Sequence, residues 1–208
     1  MLQESDDKVE TLLGVQIEPS LKWHRQVQLV VNKLKKRLTG LASLCCILPF
    51  NLRKRISEGI FISVLVYCLP VFGGCEKYEM EALQVMQNKA ARLITHSNTR
   101  TNRKEMFAKL DWLTVNQLVF YHTVLATFRI RTSKEPEYLY AIMSRDNRSD
   151  RIIIPNTTLS LAKRSFCYRG AAQWNSLPPG IRSIQKIGLF KTQVRKFIKT
   201  NVPQFIEN

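Results

Sequence analysis

The side chains of this sequence with the clearest chemical potential are its cations. Lys22, Arg25, Lys33, Lys35, Lys36, Arg37, Arg53, Lys54 and Arg55 fall within residues 19–57, a stretch with no Asp or Glu, and residues 151–206 are acid-free as well. Thirty-two Lys and Arg stand against sixteen Asp and Glu in 208 residues, a net charge of +16. Solubility needs nothing like this excess. The acids collect at the start (Glu4, Asp6, Asp7, Glu10, Glu18) and in the middle of the chain, so a folded molecule can present a one-signed face to a polyanion. The chemistry such a face performs is phosphate contact.

Other chemistries find little support. The cysteines (Cys45, Cys46, Cys68, Cys75, Cys167) form no closely spaced CxxC pair, and His24, His96 and His122 are isolated from one another and from partner side chains at informative spacing. No catalytic group, metal site or cofactor is expected. Adjacent Cys45 and Cys46 lie in an apolar helical pattern, where reduced cysteine serves as a small hydrophobe, so an intracellular location, nuclear or cytoplasmic, is expected. The most apolar stretch, Gly59 to Phe72, is broken by Pro70. It is shorter than the roughly 18 to 20 residues a spanning helix requires, so it reads as a buried core helix and no membrane partner is expected. Polar and acidic residues follow Met1, and no secretory signal is read there.

The elements that must position the cations are mainly helical. Lys8 to Ile17 mixes β-branched residues with partial alternation and reads as a short strand or hairpin arm, with Pro19-Ser20 as a stop and possible cap. Beyond Ser20, Val27, Val31, Leu34, Leu38, Leu41, Cys45 and Leu48 recur in steps of three and four, the signature of one helical stripe, with Pro49 ending the helix. A second helix is expected over Asn51 to Tyr67, basic at its start and buried in its second half. After a Gly73-Gly74 turn, a third begins with Glu76, Glu79 and Glu81 and ends with Lys89 and Arg92, in the order that complements the helix dipole; Leu83, Met86, Ala90 and Leu93 form its packed face. A short helix over Lys104 to Leu110 and a longer one over Thr114 to Ile130, with Leu118, Tyr121, Leu125 and Phe128 on its stripe, follow. Residues 131–156 are polar and turn-rich. Lys163 to Leu177 reads as a helix with Phe166, Ala171 and Trp174 inward, and a last helix from Ser183 to Thr200 carries Phe190, Val194 and Phe197 on its apolar line. The expected class is therefore mainly α: a helical bundle with a short N-terminal strand or hairpin arm and a smaller C-terminal helical piece. Its parts are a tail and strand over 1–19, a helical body over 20–132, a linker over 133–160 and a basic helical piece over 161–208.

Five blocks in order carry a resemblance. They are Leu12-Leu13-Gly14-Val15-Gln16-Ile17 with Leu21-Lys22-Trp23; Leu48-Pro49 with Tyr67-Cys68-Leu69-Pro70-Val71-Phe72-Gly73; Leu83 through Ile94, with its Gln87-Asn88-Lys89-Ala90-Ala91-Arg92 order; Leu110 through Val115; and Lys163 through Pro178, continuing to Ile181-Arg182 and Phe190-Lys191. Together they resemble the region downstream of the palm, thumb and beyond, in reverse transcriptases (RNA-directed DNA polymerases) of jockey-like non-LTR retrotransposons. The family usually shows tryptophan before the glycine of the second block, where this chain has Phe72. The resemblance implies a thumb-like helical bundle that holds primer and template by their backbone, supports target-primed reverse transcription in the parent element, and packs against a palm. The family's palm bears its catalytic aspartates in a Tyr-x-Asp-Asp turn that holds two metal ions. Asp6-Asp7 lacks the aromatic and sits directly before the Leu-Gly-Val block instead of well upstream of it, so it is read as a solvated acidic tail. The expectation is a non-catalytic fragment or remnant that binds RNA or an RNA-DNA duplex through phosphates.

The candidate contacts are Lys22, Arg25, Lys33, Lys36, Arg37, Arg53, Lys54 and Arg55, with Lys191, Arg195 and Lys199 on the last helix. Taken singly, each is equally a solvated side chain; as a cluster they point to phosphate. Like charges four apart, as at Lys191, Arg195 and Lys199, repel slightly in an isolated helix, a penalty that a polyanion removes. Lys89 and Arg92 read equally as contacts or as complements to a helix C-terminus. Trp23, Trp112 and Trp174 are read as packing residues, and Tyr168 and Arg169 beside Gly170 as a packing corner. The reading of a different class is a helical protein-interaction or structural module with incidental basicity.

Overall fold

Leu13 and Gly14 both take positive φ (49° and 77°), the geometry of a two-residue type I′ turn. They join β1 (Glu10–Leu12) to β2 (Val15–Ile17) in an antiparallel hairpin with Thr11 opposite Gln16. The computed structural model describes residues 9–143 and 150–201. Asp6, Asp7 and Lys8 lie outside them, as does part of the 133–160 stretch. The described chain is mainly helical, with this hairpin at its N-terminal side. Its described residues divide into two compact units, one within residues 1–68 and 75–115, the other within residues 69–74 and 116–208.

In the first unit, α1 (His24–Cys45) follows the hairpin. Its start is not at Ser20. Leu21 has φ 54° and closes a turn onto Glu18, and the Glu18 carboxylate accepts the Arg25 backbone N–H at 2.7 Å. An acid thereby serves the free donors of a helix N-terminus from seven residues upstream. Val27, Leu34, Leu41 and Cys45 of the expected stripe are buried, joined by Val30, while Val31, Leu38 and Leu48 are only half-buried. The helix stops at Cys45, short of Pro49, which instead precedes α2 (Phe50–Ser57) in extended backbone.

From α2 the chain continues helically through a π-helical turn (Glu58–Ile62) into α3 (Ser63–Val66), so the expected second helix is present with one wide turn inside it. Its second half is not wholly core. Phe61 and Leu65 are buried, but Tyr67 is 52% exposed and its hydroxyl donates to the Leu13 carbonyl at 2.6 Å. Cys68 at φ 53° then breaks the apolar stretch read as a single core helix, and α4 (Leu69–Phe72) belongs to the second unit. Packed on α1 and α2 is α5 (Lys77–Thr95), opened by a capping box in which Glu79 accepts the Glu76 backbone N–H at 2.8 Å. The Asn102 side chain caps α6 (Arg103–Leu110), which packs on α5. Trp112 is buried, edge-on to Phe107, with its indole N–H donating to Glu58 at 3.2 Å.

The second unit is built around α7 (Val115–Ser133), which is buried nearly all round. Val119, Thr123, Val124 and Thr127 are buried along with the expected Leu118, Leu125 and Phe128, while Tyr121 is only half-buried. Arg131, read from sequence as the first residue of a polar connection, is in this helix and buried. Its guanidinium lies 2.7 Å from Asp150 and 4.4 Å from the centre of the Trp174 ring. Within 133–160 the chain forms α8 (Glu137–Ile142). The expected Lys163-to-Leu177 helix is two: α9 (Ser160–Lys163) and α10 (Phe166–Ser176), separated where Ser165 caps α10 by accepting the Tyr168 N–H. The Pro178-Pro179-Gly180 turn is the start of a single helical turn, α11 (Pro179–Arg182), and α12 (Ile187–Thr200) starts four residues later than read. Its buried line is Phe190, Val194 and Ile198, with Phe197 half-buried; Phe190 stacks on Phe128 at 4.2 Å and on Trp174 at 5.8 Å. No described helix is long and apolar enough to cross a membrane.

Candidate nucleic-acid interface

Three of the eight cations proposed in the first unit come together. Arg25, Lys33 and Lys36 line an open groove of about 650 Å³ on α1, with Gln16 of β2 at its margin. At about 100° per residue, Arg25 and Lys36 project within roughly 20° of one another, on the side of α1 opposite the buried Val27, Val30 and Leu34. Gln28, Leu29 and Asn32 complete this face, and His24 stands at its start.

No carboxylate lines the groove. The two acids nearest its start are engaged: Glu18 holds the Arg25 backbone N–H, and the buried Glu79 lies 3.3 Å from His24 Nδ1 while closing the capping box of α5. The hairpin wall is fixed by a buried amide, because Gln26 Oε1 accepts the Gln16 backbone N–H at 2.8 Å. An open face that carries three cations and is lined by no carboxylate attracts an anion.

The remaining first-unit candidates are dispersed. Lys22 is exposed ahead of α1, and Arg37 is turned about 100° from Lys36. Arg53, Lys54 and Arg55 are consecutive and therefore point around α2 in three directions. Lys54 lies 4.0 Å from Glu58, and Arg53 is half-buried, with Nε and Nη1 lacking hydrogen-bond partners among the described residues. Arg53 also bears on Cys45, whose thiol burial pushes up in pKa while the nearby guanidinium opposes the rise. Of the equally weighed pair on α5, Lys89 is exposed and Arg92 half-buried.

In the second unit, Lys191, Arg195 and Lys199 form a single line along α12 beside its buried Phe190, Val194 and Ile198. Only Lys199 is fully exposed. His122 of α7 is held below the ordinary imidazole range by burial first, then by the charges of Arg129 and Lys191. Burial raises Tyr121, and Arg195 opposes that rise. The upper two cations of this ridge thus act on α7 as well as on solvent.

Compared with protein-family models, curated proteins and solved structures, the chain matches none.

Charge alone did not reveal the groove's uncharged residues. Gln16, Gln28 and Asn32 carry no signal by type, and Gln16 reaches the site only because the hairpin folds back along α1. Two of the tryptophans offer no stacking platform of the kind single-strand binders use: Trp112 and Trp174 are 8% and 2% exposed, and the Trp174 indole N–H donates to the Asp150 carbonyl at 3.1 Å, whereas Trp23, just ahead of α1, is half-buried. At the packing corner, Gly170 is buried where an added Cβ would lie 2.9 Å from both Met143 Cε and Thr127 Oγ1, and Arg169 donates to the Arg164 and Pro70 carbonyls. Among the described residues no group of His, Cys, Asp and Glu is placed to hold a metal ion.

Proposed function

We propose that the chain is a non-catalytic, nucleic-acid-holding part of a retrotransposon reverse transcriptase, corresponding to the thumb and the region beyond it, and that it binds RNA or an RNA-DNA duplex through the phosphate backbone. The observation that carries the binding is the open groove along α1 that Arg25, Lys33 and Lys36 line and no carboxylate lines. The family assignment rests on the five ordered sequence blocks. In the parent element this region supports target-primed reverse transcription by anchoring primer and template, inside the cell and against the palm. Phosphate contacts of this kind position a duplex without reading its sequence. The test is fluorescence anisotropy with a labelled RNA-DNA hybrid duplex from 50 to 200 mM salt. Tight binding at low salt that weakens at least tenfold across the range is expected; absence of binding at low salt, or affinity indifferent to salt, overturns the proposal.

A second reading, a helical protein-interaction module, is favoured by one observation. Leu44, Ile47 and Leu52, around the junction of α1 and α2, are 41%, 83% and 45% exposed. Exposed apolar side chains mark protein contacts when they form a continuous patch. Replacing all three with serine separates the readings, because duplex binding that survives the change leaves the groove as its source.

A further inference from the structure

The groove on α1 contains two side chains that its charge does not explain. Gln28 and Asn32 stand one helical turn apart between Arg25 and Lys36, both exposed. Gln16 faces the same space from β2. A lysine or arginine attracts phosphate over the length of the screened field, whereas an amide contributes only on contact. On contact it offers two N–H donors and a carbonyl acceptor. That combination suits a nucleic-acid strand, in which phosphate oxygens accept and a ribose hydroxyl both donates and accepts. The hairpin that borders this face is held to α1 by the buried Gln26 amide.

We infer that Gln28 and Asn32 are backbone-contact residues, which hydrogen-bond the sugar-phosphate strand that Arg25, Lys33 and Lys36 draw into the groove. The inference rests on the nucleic-acid reading above and adds to it a contact that releases no counterions.

The test uses the full chain, the labelled RNA-DNA hybrid duplex and the Gln28→Ala/Asn32→Ala variant, titrated between 50 and 200 mM salt. Both side chains are exposed in the interior of α1, where alanine is the better helix former, so the thermal melt should hold or rise slightly. The dissociation constant should rise about tenfold, the loss expected for two neutral hydrogen bonds, with the slope of log affinity against log salt unchanged. The near-isosteric Gln28→Met/Asn32→Leu variant repeats the measurement with side-chain bulk retained, and decides if the alanine variant unfolds. In parallel, Lys33→Gln/Lys36→Gln should lower both affinity and slope. An amide variant that binds within twofold of the parent, while the lysine variant weakens, overturns this inference and leaves the nucleic-acid reading standing. An amide variant that flattens the salt slope also overturns it, because the amides would then act through charge placement. If neither variant changes binding, the groove reading itself fails.

Discussion

Neutralising the groove offers the sharpest quantitative prediction. In Arg25→Gln/Lys33→Gln/Lys36→Gln, three cations that share one face of α1 lose their charge while keeping most of their length and helical preference. Each cation seated on a phosphate of a duplex contributes about 0.9 to the slope of log affinity against log salt, so three contribute about 2.7. Across a fourfold change in salt, from 50 to 200 mM, that slope corresponds to roughly 40-fold in affinity. The variant should therefore bind more weakly at 50 mM, and its own affinity should fall about 40-fold less than the parent's over the same range. The assay is anisotropy with the hybrid duplex, with circular dichroism as the check on folding, which should be unaffected because Lys33 and Lys36 are exposed and Arg25 bonds Glu18 through its backbone. Unchanged slope in a folded variant would refute the placement of the phosphates in this groove. A slope lowered by only about 0.9 would mean that a single cation of the three makes contact. Matching loss from Arg37→Gln alone would also count against it, since Arg37 lies outside the groove.

Two further outcomes test the second unit. Gly188→Ala, in α12 with open space around its would-be Cβ, should stabilise the chain by about 0.5–1 kcal/mol. Gly170→Ala should destabilise it by about 1–3 kcal/mol, because the methyl meets Thr127 Oγ1, itself bonded to the Thr123 carbonyl; thermal denaturation reads both. The depressed pKa of His122 carries a pH signature. Below the ordinary histidine value near 6.5, the unfolded chain takes up a proton before the folded one does. Stability from this site is thus full above that value and is lost as pH falls through the lower, folded value. His122→Gln should lose less melting temperature than the parent between pH 7.5 and 5.5, and an equal loss would show that His122 does not contribute.

The helices were readable wherever one face is buried and the other wet. Val27, Leu34, Leu41 and Cys45 keep the helical period because α1 packs on one side only. The same reasoning undershot α7, whose apolar and small polar residues are buried nearly all round, so its stripe was only part of its buried surface. Boundaries failed where the cap came from a distance or where a local signal pointed the other way. Glu18 serves α1 from seven residues upstream, and Pro49 opens α2 rather than closing α1. At the site, clustering along the acid-free stretch named Arg25, Lys33 and Lys36 together with Lys22, Arg37, Arg53, Lys54 and Arg55, and clustering in sequence could not separate the three that share a face of α1 from the last three, which helical geometry scatters around α2. The partners of Arg131 lie nineteen and forty-three residues away, and its burial had no local signal.

Lysine footprinting of the chain with and without the hybrid duplex reports which side chains a bound backbone covers, and so whether the α1 groove holds it. At low salt and saturating duplex, Lys33 and Lys36 should lose several-fold in reactivity towards an acylating reagent, while Lys104, exposed at the first turn of α6, should keep its own. Lys33 and Lys36 that stay fully reactive with the chain saturated by duplex would place the bound backbone elsewhere, and a duplex that does not bind at all would rule out a nucleic-acid-holding role.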